Sequence, residues 1–336
     1  MTIKDVAAHC GVSVSTVSRV LNDHPDVSKE VRAKVQQAIA ELHYVPNNSA
    51  RDLVSSPIDA IGVVVRGSGN PFFTPVINAM DEEADKKGYT LISELISPSD
   101  DEIAAAAELV RSKRLKGIVF LGGRFDYTQD EVATLGVPFV CCSFDNRFGN
   151  LDESDYSSVS LDDTAEAYKA TEYLLDHGHS KVAILLDSVD SNSIGTLRFR
   201  GYCAALKDRG IPTELELAVQ TGDFSMAAAY DGTLELMRSH PDVTAIFSIS
   251  DSMAIAAMKA LSDLGQRVPE DVSVIAIDGI ESSLYTVPTL TTLCQPQQDL
   301  GRDAVKVLLG VINEGARNEH LRIETTLRPG GTVGSR

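Results

Sequence analysis

Between Gly11 and Asn22 the sequence reads GVSVSTVSRVLN. Wound as a helix, Val17, Val20 and Leu21 fall on one face, and Ser15, Thr16, Ser18 and Arg19 on the other. The second face holds no carboxylate. Packing against a neighbouring helix accounts for the valines and the leucine but not for this composition. Short hydroxyl side chains and one guanidinium can come close to a DNA major groove. There the hydroxyls meet phosphate oxygens or base edges, and Arg19 can bond guanine through two N–H groups. No enzyme chemistry is as well defined. The chain has no G-x-G-x-x-G, P-loop, H-E-x-x-H, G-x-S-x-G or C-x-x-C. His177 and His179 flank Gly178 at a helix end, where capping or surface roles outweigh metal ligation. Asp162-Asp163 and Asp100-Asp101-Glu102 open helices, where carboxylates oppose the macrodipole. The chain is read as a non-enzyme with no metal or cofactor.

The elements that must present this face are short. Residues 1–45 read as three helices. Thr2 with Asp5 caps the first, whose stripe is Ile3, Val6, Ala7 and Cys10, and Gly11 ends it. Ser13 opens the second helix. Ser28 opens the third, with Val31, Val35, Ala38, Ile39 and Leu42 at helical spacing. A helix, a tight turn and a second helix form the helix-turn-helix pattern. The stretch PNNSARDLVSS at 46–56 has a linker's composition, yet Ala50, Arg51 and Leu53 share one face of a short helix. About ten residues do not hold a helix alone in water. A lone apolar Leu53 suits a wedge at a kinked base step.

From residue 59 onward short apolar strands alternate with amphipathic helices: IGVVV, TLISEL, GIVFL, PFVCCS, SVSLD, KVAILL, LAVQ, AIFSIS and SVIAID. Such alternation implies parallel sheets covered on both faces. Nine strands are too many for one sheet, so two doubly wound lobes are expected. The first takes about 59–160 plus 289–318, and the second about 161–288 plus 319–336.

The formal charge of the 336 residues is −18. Residues 1–56 hold six basic and six acidic side chains, so the remainder carries the whole excess. Only the N-terminal segment can approach phosphate. The start of the chain lacks a signal peptide's apolar core and no run is long enough to cross a bilayer, so a cytoplasmic protein is expected. Five scattered cysteines do not form a disulfide framework.

The runs TIKDVAAHCGVSVSTVSRVLN and LHYVPNNSARDL resemble the lactose-repressor (LacI)/GalR family of bacterial transcription regulators. The resemblance continues through NPFF at 70–73, RFRGY at 198–202, GDFS at 222–225 and SDSMAIAAMKAL at 250–261. VPEDVSVIAID at 268–278, PTLTTLCQP at 288–296 and R-x-x-x-T at 328–332 complete it. It spans essentially the whole chain, in order.

The resemblance implies a helix-turn-helix head (1–45), a hinge helix (46–58) and a ligand-binding and dimerisation body (59–336). The body would be α/β, like a type I periplasmic sugar-binding protein. Val14, Ser15 and Arg19 match base-reading positions, with Val14 set to meet a thymine methyl or groove shape. Ser18, Asn22 and Tyr44 match phosphate-side positions, Leu53 the minor-groove wedge and Ala50 its neighbour. Asn47 joins the DNA-contacting set. Asp52 departs from the pattern by placing an acid near phosphates.

In the body the effector would lie at the strand C-terminal ends between the lobes. Phe72, Phe73, Ser143, Arg198, Phe224, Ser250 and Asp278 match effector positions, and Asp145, Arg66 and Arg124 follow strands that reach the same crevice. Ser143 stands where many sugar-responding relatives carry a carboxylate or Asn. Aromatic faces with few polar groups suit a neutral saccharide. The implied protein is a homodimeric, effector-responsive repressor of carbohydrate-use genes that binds a palindromic operator. No heptad-patterned tail suggests a tetramer. A purine or nucleoside effector, or a phosphocarrier protein as corepressor, are the alternatives within the family. A solute-binding transport component would need a signal peptide and no helix-turn-helix.

Overall fold

The computed structural model describes residues 2–21, 24, 26–42, 59–67 and 69–336. The chain divides into two compact units between residues 58 and 59.

In the first unit, α1 (Ile3–Cys10), α2 (Val14–Leu21) and α3 (Lys29–Glu41) enclose a small core of Val6, Ala7, Cys10, Val17, Val20, Val35 and Ala38. The backbone N–H of Thr2 donates to the Asp5 carboxylate over 2.7 Å, fixing the start of α1. Gly11 ends it at φ 64°, a left-handed conformation glycine adopts without a Cβ clash. Ser13 Oγ accepts from the Thr16 N–H over 3.1 Å at the head of α2, and Ser28 Oγ from the Val31 N–H over 3.4 Å at the head of α3.

The body is two six-stranded sheets. The first lobe contains β1 (Ala60–Arg66), α4 (Phe73–Lys86), β2 (Thr90–Ile96), α5 (Glu102–Lys113), β3 (Ile118–Leu121), α6 (Gln129–Val132), β4 (Phe139–Cys142) and β5 (Ser157–Ser160). The second contains α7 (Asp163–Asp176), β6 (Val182–Leu186), α8 (Ile194–Asp208), β7 (Ala218–Gln220), α9 (Met226–Ser239), β8 (Ala245–Ser248), α10 (Asp251–Asp263) and β9 (Ser273–Asp278). Four elements follow: β10 (Thr291–Cys294), α11 (Gln297–Glu314), β11 (His320–Arg322) and β12 (Thr326–Arg328). The strand orders are β11-β5-β4-β3-β1-β2 and β12-β10-β9-β8-β6-β7. Every pairing is parallel except β10 with β12. All nine expected strands form. Continuous apolar strands such as β1, β3 and β6 are buried along their length, as a sheet covered on both faces requires.

The C-terminal quarter departs from the sequence reading. The sequence reading places residues 289–318 in the first lobe, but β10 pairs with β9 in the second. It places residues 319–336 in the second, where β12 does pair with β10, but β11 pairs with β5 in the first. Only α11 joins the first lobe as expected, packing Leu300, Ala304, Val305 and Leu308 among Val76 and Met80 of α4. The chain therefore crosses between lobes after β5, after β10 and after β11. Hydrophobic pattern identifies a strand but carries no information about its neighbour, and short strands are assigned by backbone pairing alone.

Candidate nucleic-acid interface and effector cleft

On the head, Val14, Ser15 and Arg19 are exposed and Thr16 and Ser18 half-buried, while Val17 and Val20 turn into the core. The hydroxyls of Ser13, Ser15 and Thr16 are linked, with Ser13 Oγ 2.7 Å from Ser15 Oγ and 2.8 Å from Thr16 Oγ1. Within α2 the sequence is VSTVSRVL, so its only charged side chain is Arg19. Asn22, Tyr44, Asn47, Ala50, Asp52 and Leu53 lie outside the described residues.

In the body, the parallel strands of each lobe aim their C-terminal ends at the other lobe's loops. Phe72 is buried and Phe73 half-buried at the start of α4, their rings edge to face with centroids 5.7 Å apart. The Phe73 ring lies against Gly122, where a Cβ would come within 2.5 Å of Cζ. Ser143 is buried at φ 65°, unusual for a residue with a Cβ, and its N–H donates to Val159 O over 2.8 Å. Phe224 is 39% exposed in the loop before α9. Ser250 is buried and its hydroxyl caps α10, accepting from the Met253 N–H over 3.3 Å.

Arg198 and Asp278 are brought close together, and both are engaged. The buried Arg198 guanidinium donates to Asp163 Oδ1 from Nε and Nη2, each over 3.0 Å, and to the Ile249 carbonyl. Asp278, at φ 140°, accepts from Gln295 Nε2 over 2.8 Å, while its Oδ2 is buried without a partner. Burial pushes its carboxyl up to about 8, against the pull of the Arg198 charge. Asp145 is ion-paired to Arg147 (2.9 Å) and to Arg322. It is the one expected effector residue on a cavity of about 740 Å³ that Arg147, Leu161, Tyr168 and Leu197 also line. Arg66 donates to the Pro98 carbonyl, fastening the β2–α5 loop.

Three further polar residues that the sequence did not single out as effector contacts are buried in the body. Glu102, taken as a helix-start carboxylate, is 1% exposed. Its Oε1 accepts the Arg124 N–H over 2.7 Å, and the Tyr127 hydroxyl also bonds the carboxyl. Burial raises its pKa. Asp187 directly follows β6, and Gln295 directly follows β10. Both are buried with an oxygen unpartnered, and burial raises the Asp187 carboxyl. The available signal was position, since each follows the end of a strand. Asp163 and Asp251 are also raised by burial, but their oxygens hold Arg198 and, for Asp251, the Ile280 N–H and Thr292 hydroxyl.

The lobes touch on both flanks. Leu197 of α8 is buried in the first-lobe cluster with Phe125 and Phe144, and Ile194 packs on it. Ile280, beyond β9, joins the first-lobe cluster around Phe72. Asn192 Nδ2 donates to Asp126 Oδ2 over 3.1 Å across the gap, and Arg200 lies 5.3 Å above the Phe148 ring. No helix among the described residues is long and apolar enough to cross a membrane.

Comparison with known proteins agrees with both halves. A family model for bacterial regulatory proteins of the lacI family matches residues 2–47. One for periplasmic binding proteins and the sugar-binding domain of the LacI family matches residues 58–328. The transcriptional regulator MalR of Clostridium butyricum is 37% identical over 332 residues, covering 97% of each chain. The transcriptional repressor PurR of Pectobacterium carotovorum is 33% identical over 328 residues, covering 95% of this chain and 93% of that one. Among solved structures, the regulator CelR in complex with cellobiose superposes with a TM-score of 0.73 at 28% identity over 99% of each chain. The lac repressor dimer bound to operator and the anti-inducer ONPF gives 0.71 at 26% identity, covering 100% of this chain and 99% of that one.

Proposed function

The chain belongs to the LacI family of bacterial regulatory proteins, and we propose that its effector is a neutral saccharide held between the lobes. It is a DNA-binding transcription regulator whose body is an effector-binding domain. On our reading it acts in the cytoplasm as a homodimeric repressor of carbohydrate uptake or catabolism genes. Two copies of α2 read a palindromic operator through Val14, Ser15 and Arg19, with Thr16 and Ser18 at the backbone. Effector binding changes the relation between the lobes and thereby the affinity for DNA, a coupling between two sites of one molecule.

The observation that carries the saccharide reading is the balance of donors and acceptors at the strand ends. Asp187 Oδ1, Asp278 Oδ2 and Gln295 Oε1 are buried oxygens without hydrogen-bond partners among the described residues. Such groups favour a ligand rich in O–H donors. A phosphorylated sugar would add acceptors and negative charge where both already abound. Phe73 at the start of α4 offers a ring face for the apolar side of a pyranose. The likeness to MalR and to the CelR–cellobiose complex supports the same class.

A thermal-shift screen of the full chain against mono- and disaccharides, sugar phosphates, purines and nucleosides tests this, because a cleft ligand stabilises the fold by mass action. A neutral saccharide should raise the melting temperature and change operator binding in a mobility-shift assay. A response confined to purines would replace this reading with the one the PurR relatives suggest.

A further inference from the structure

The body carries the whole acidic excess of the chain, yet one rim of its first lobe is basic. The rim lies at the N-terminal ends of the strands, away from the ends that face the second lobe. Helices α4 and α5 cover opposite faces of the sheet and both end here, at Lys86 and Lys113. Backbone bonds tie the strand starts together: the Thr90 N–H donates to Asp59 O over 2.8 Å, and the Lys116 N–H to Ala60 O over 2.9 Å. Lys86 and Lys87 therefore reach the start of β1 from one face, Arg111, Lys113 and Arg114 from the other, and Lys116 leads into β3. All six are exposed.

Over residues 59, 85–90 and 111–117 cations outnumber acids six to two, the acids being Asp59 and Asp85. Lys116 pairs with Asp59, and Lys86 lies 3.8 Å from Glu83. Lys87, Arg111, Lys113 and Arg114 hold no ion pair among the described residues. At the other edge of the sheet, the loops before β5 and β11 set Asp152, Glu153, Asp155 and Glu319 against Arg317. The rim is thus divided by sign.

The helix macrodipole favours a cation in the last turn and accounts for Lys86 and Lys113. It does not account for the cluster, because α7, α10 and α11 end with no basic residue in theirs. Nor does it explain Arg114, which ends α5 at φ 55°, a left-handed position where glycine is the ordinary choice. The basic half of the rim is also where the chain leaves for the head. Sixteen residues, 43–58, run from the head's last described residue to Asp59. A short tether gives a second contact an effective concentration of about a millimolar. Phosphate contacts too weak to act alone then count once the head holds DNA.

We propose that Lys87, Lys113 and Arg114, on the first-lobe rim around β1, bind the phosphate backbone of the duplex that the head holds. This rests on the DNA-binding role of the head. The contact adds affinity without sequence preference and makes binding more sensitive to salt.

The test is fluorescence-anisotropy titration of the full chain on a mixed-sequence duplex of about 40 base pairs, between about 50 and 200 mM KCl. Wild type is compared with Lys87→Gln/Lys113→Gln/Arg114→Gln and with Arg114→Gly alone. The control, Lys207→Gln/Arg238→Gln/Lys259→Gln, removes as many exposed cations from the second lobe. The rim triple variant should flatten the slope of log K against log salt by about 2–3, and bind about tenfold or more weakly at about 100 mM. Arg114→Gly should flatten it by about 1 while melting no lower than wild type, since glycine suits φ 55°. The control should keep the wild-type slope. A rim triple variant with the control's slope would overturn the proposal. So would one that keeps its DNA slope but loses wild-type binding to phosphatidylserine vesicles, which would give the rim to a lipid surface. A wild type that bound no duplex would overturn the role of the head itself, a distinct failure.

Discussion

Asp278 carries two burdens at once, a backbone at φ 140° and a carboxyl oxygen buried without a partner. Strain of this kind is kept where surrounding structure enforces it, commonly at ligand sites. Its protonation gives a stability prediction with a definite sign. Below the ordinary aspartate value both folded and unfolded chains hold the proton, and the group contributes no slope. Between that value and about 8 the folded chain keeps a proton that the unfolded chain has lost, so stability falls as pH rises. Above about 8 the fall ends. Burial raises Glu102, Asp163, Asp187 and Asp251 too, and they act in the same direction. Asp278→Asn fixes the neutral form. Its melting temperature should decline less than wild type between pH 5 and 8 and stand about 2–4 °C higher at pH 8. A variant that melts below wild type across the whole range would refute this. Arg198 behaves oppositely. Removing it strands Asp163 in the interior, so Arg198→Ala should cost about 3–5 kcal/mol in a urea melt, much of it recovered by adding Asp163→Asn. An unchanged midpoint would mean the pair is not formed in solution. That Asp278 and Arg198 would lie buried near each other was legible through the motifs around them. Glu102 and Gln295 were not, because a carboxylate opening a helix and a polar residue after a strand both have ordinary roles until the strand ends are known to converge.

The elements differ in how far the sequence determines them. For α2 the pattern is sufficient: Val17 and Val20 must be buried, and that leaves Ser15 and Arg19 exposed. Because Arg19 is exposed and α2 is held by its apolar face, Arg19→Ala should leave the head folded. It should cost about 1–3 kcal/mol in operator binding, with little change on scrambled DNA. Equal losses on both DNAs in a fluorescence-anisotropy titration would reduce Arg19 to a phosphate contact. In the body, strands such as β1, β3, β4, β6, β8 and β9 follow from apolar runs buried almost throughout, whereas β2 is largely exposed and rests on alternation with helices. The placement of β10 and β11 follows from neither, since three or four residues of strand choose their sheet by which backbone edge is open, and that depends on the path of α11. The proposed effector residues inherit this limit. Gln295 reaches Asp278 only because β10 lies beside β9.

At the scale of the whole molecule, residues 1–56 are neutral and the remainder carries −18, so the segment suited to DNA is the one not repelled by it. What joins effector to operator must then pass through the arrangement of the lobes. Three crossings connect them, and apolar contacts close both flanks. Leu197 bears on this most directly, because it is rooted in α8 yet buried among first-lobe aromatics, one residue from Arg198. Leu197→Ala removes a contact that exists only when the lobes are together, without removing a polar group from the cleft. If the binding-competent form is only a fraction of the population, apparent affinity falls by that fraction. Losing a buried leucine contact, commonly worth about 2–5 kcal/mol, is enough to change that fraction by tenfold or more. The variant should therefore bind its effector at least tenfold more weakly and show a larger radius of gyration by small-angle scattering without effector, returning toward the wild-type value at saturation. An effector affinity and a scattering profile both equal to wild type would show that this flank is a fixed joint, and would move the search for the hinge to the crossings themselves.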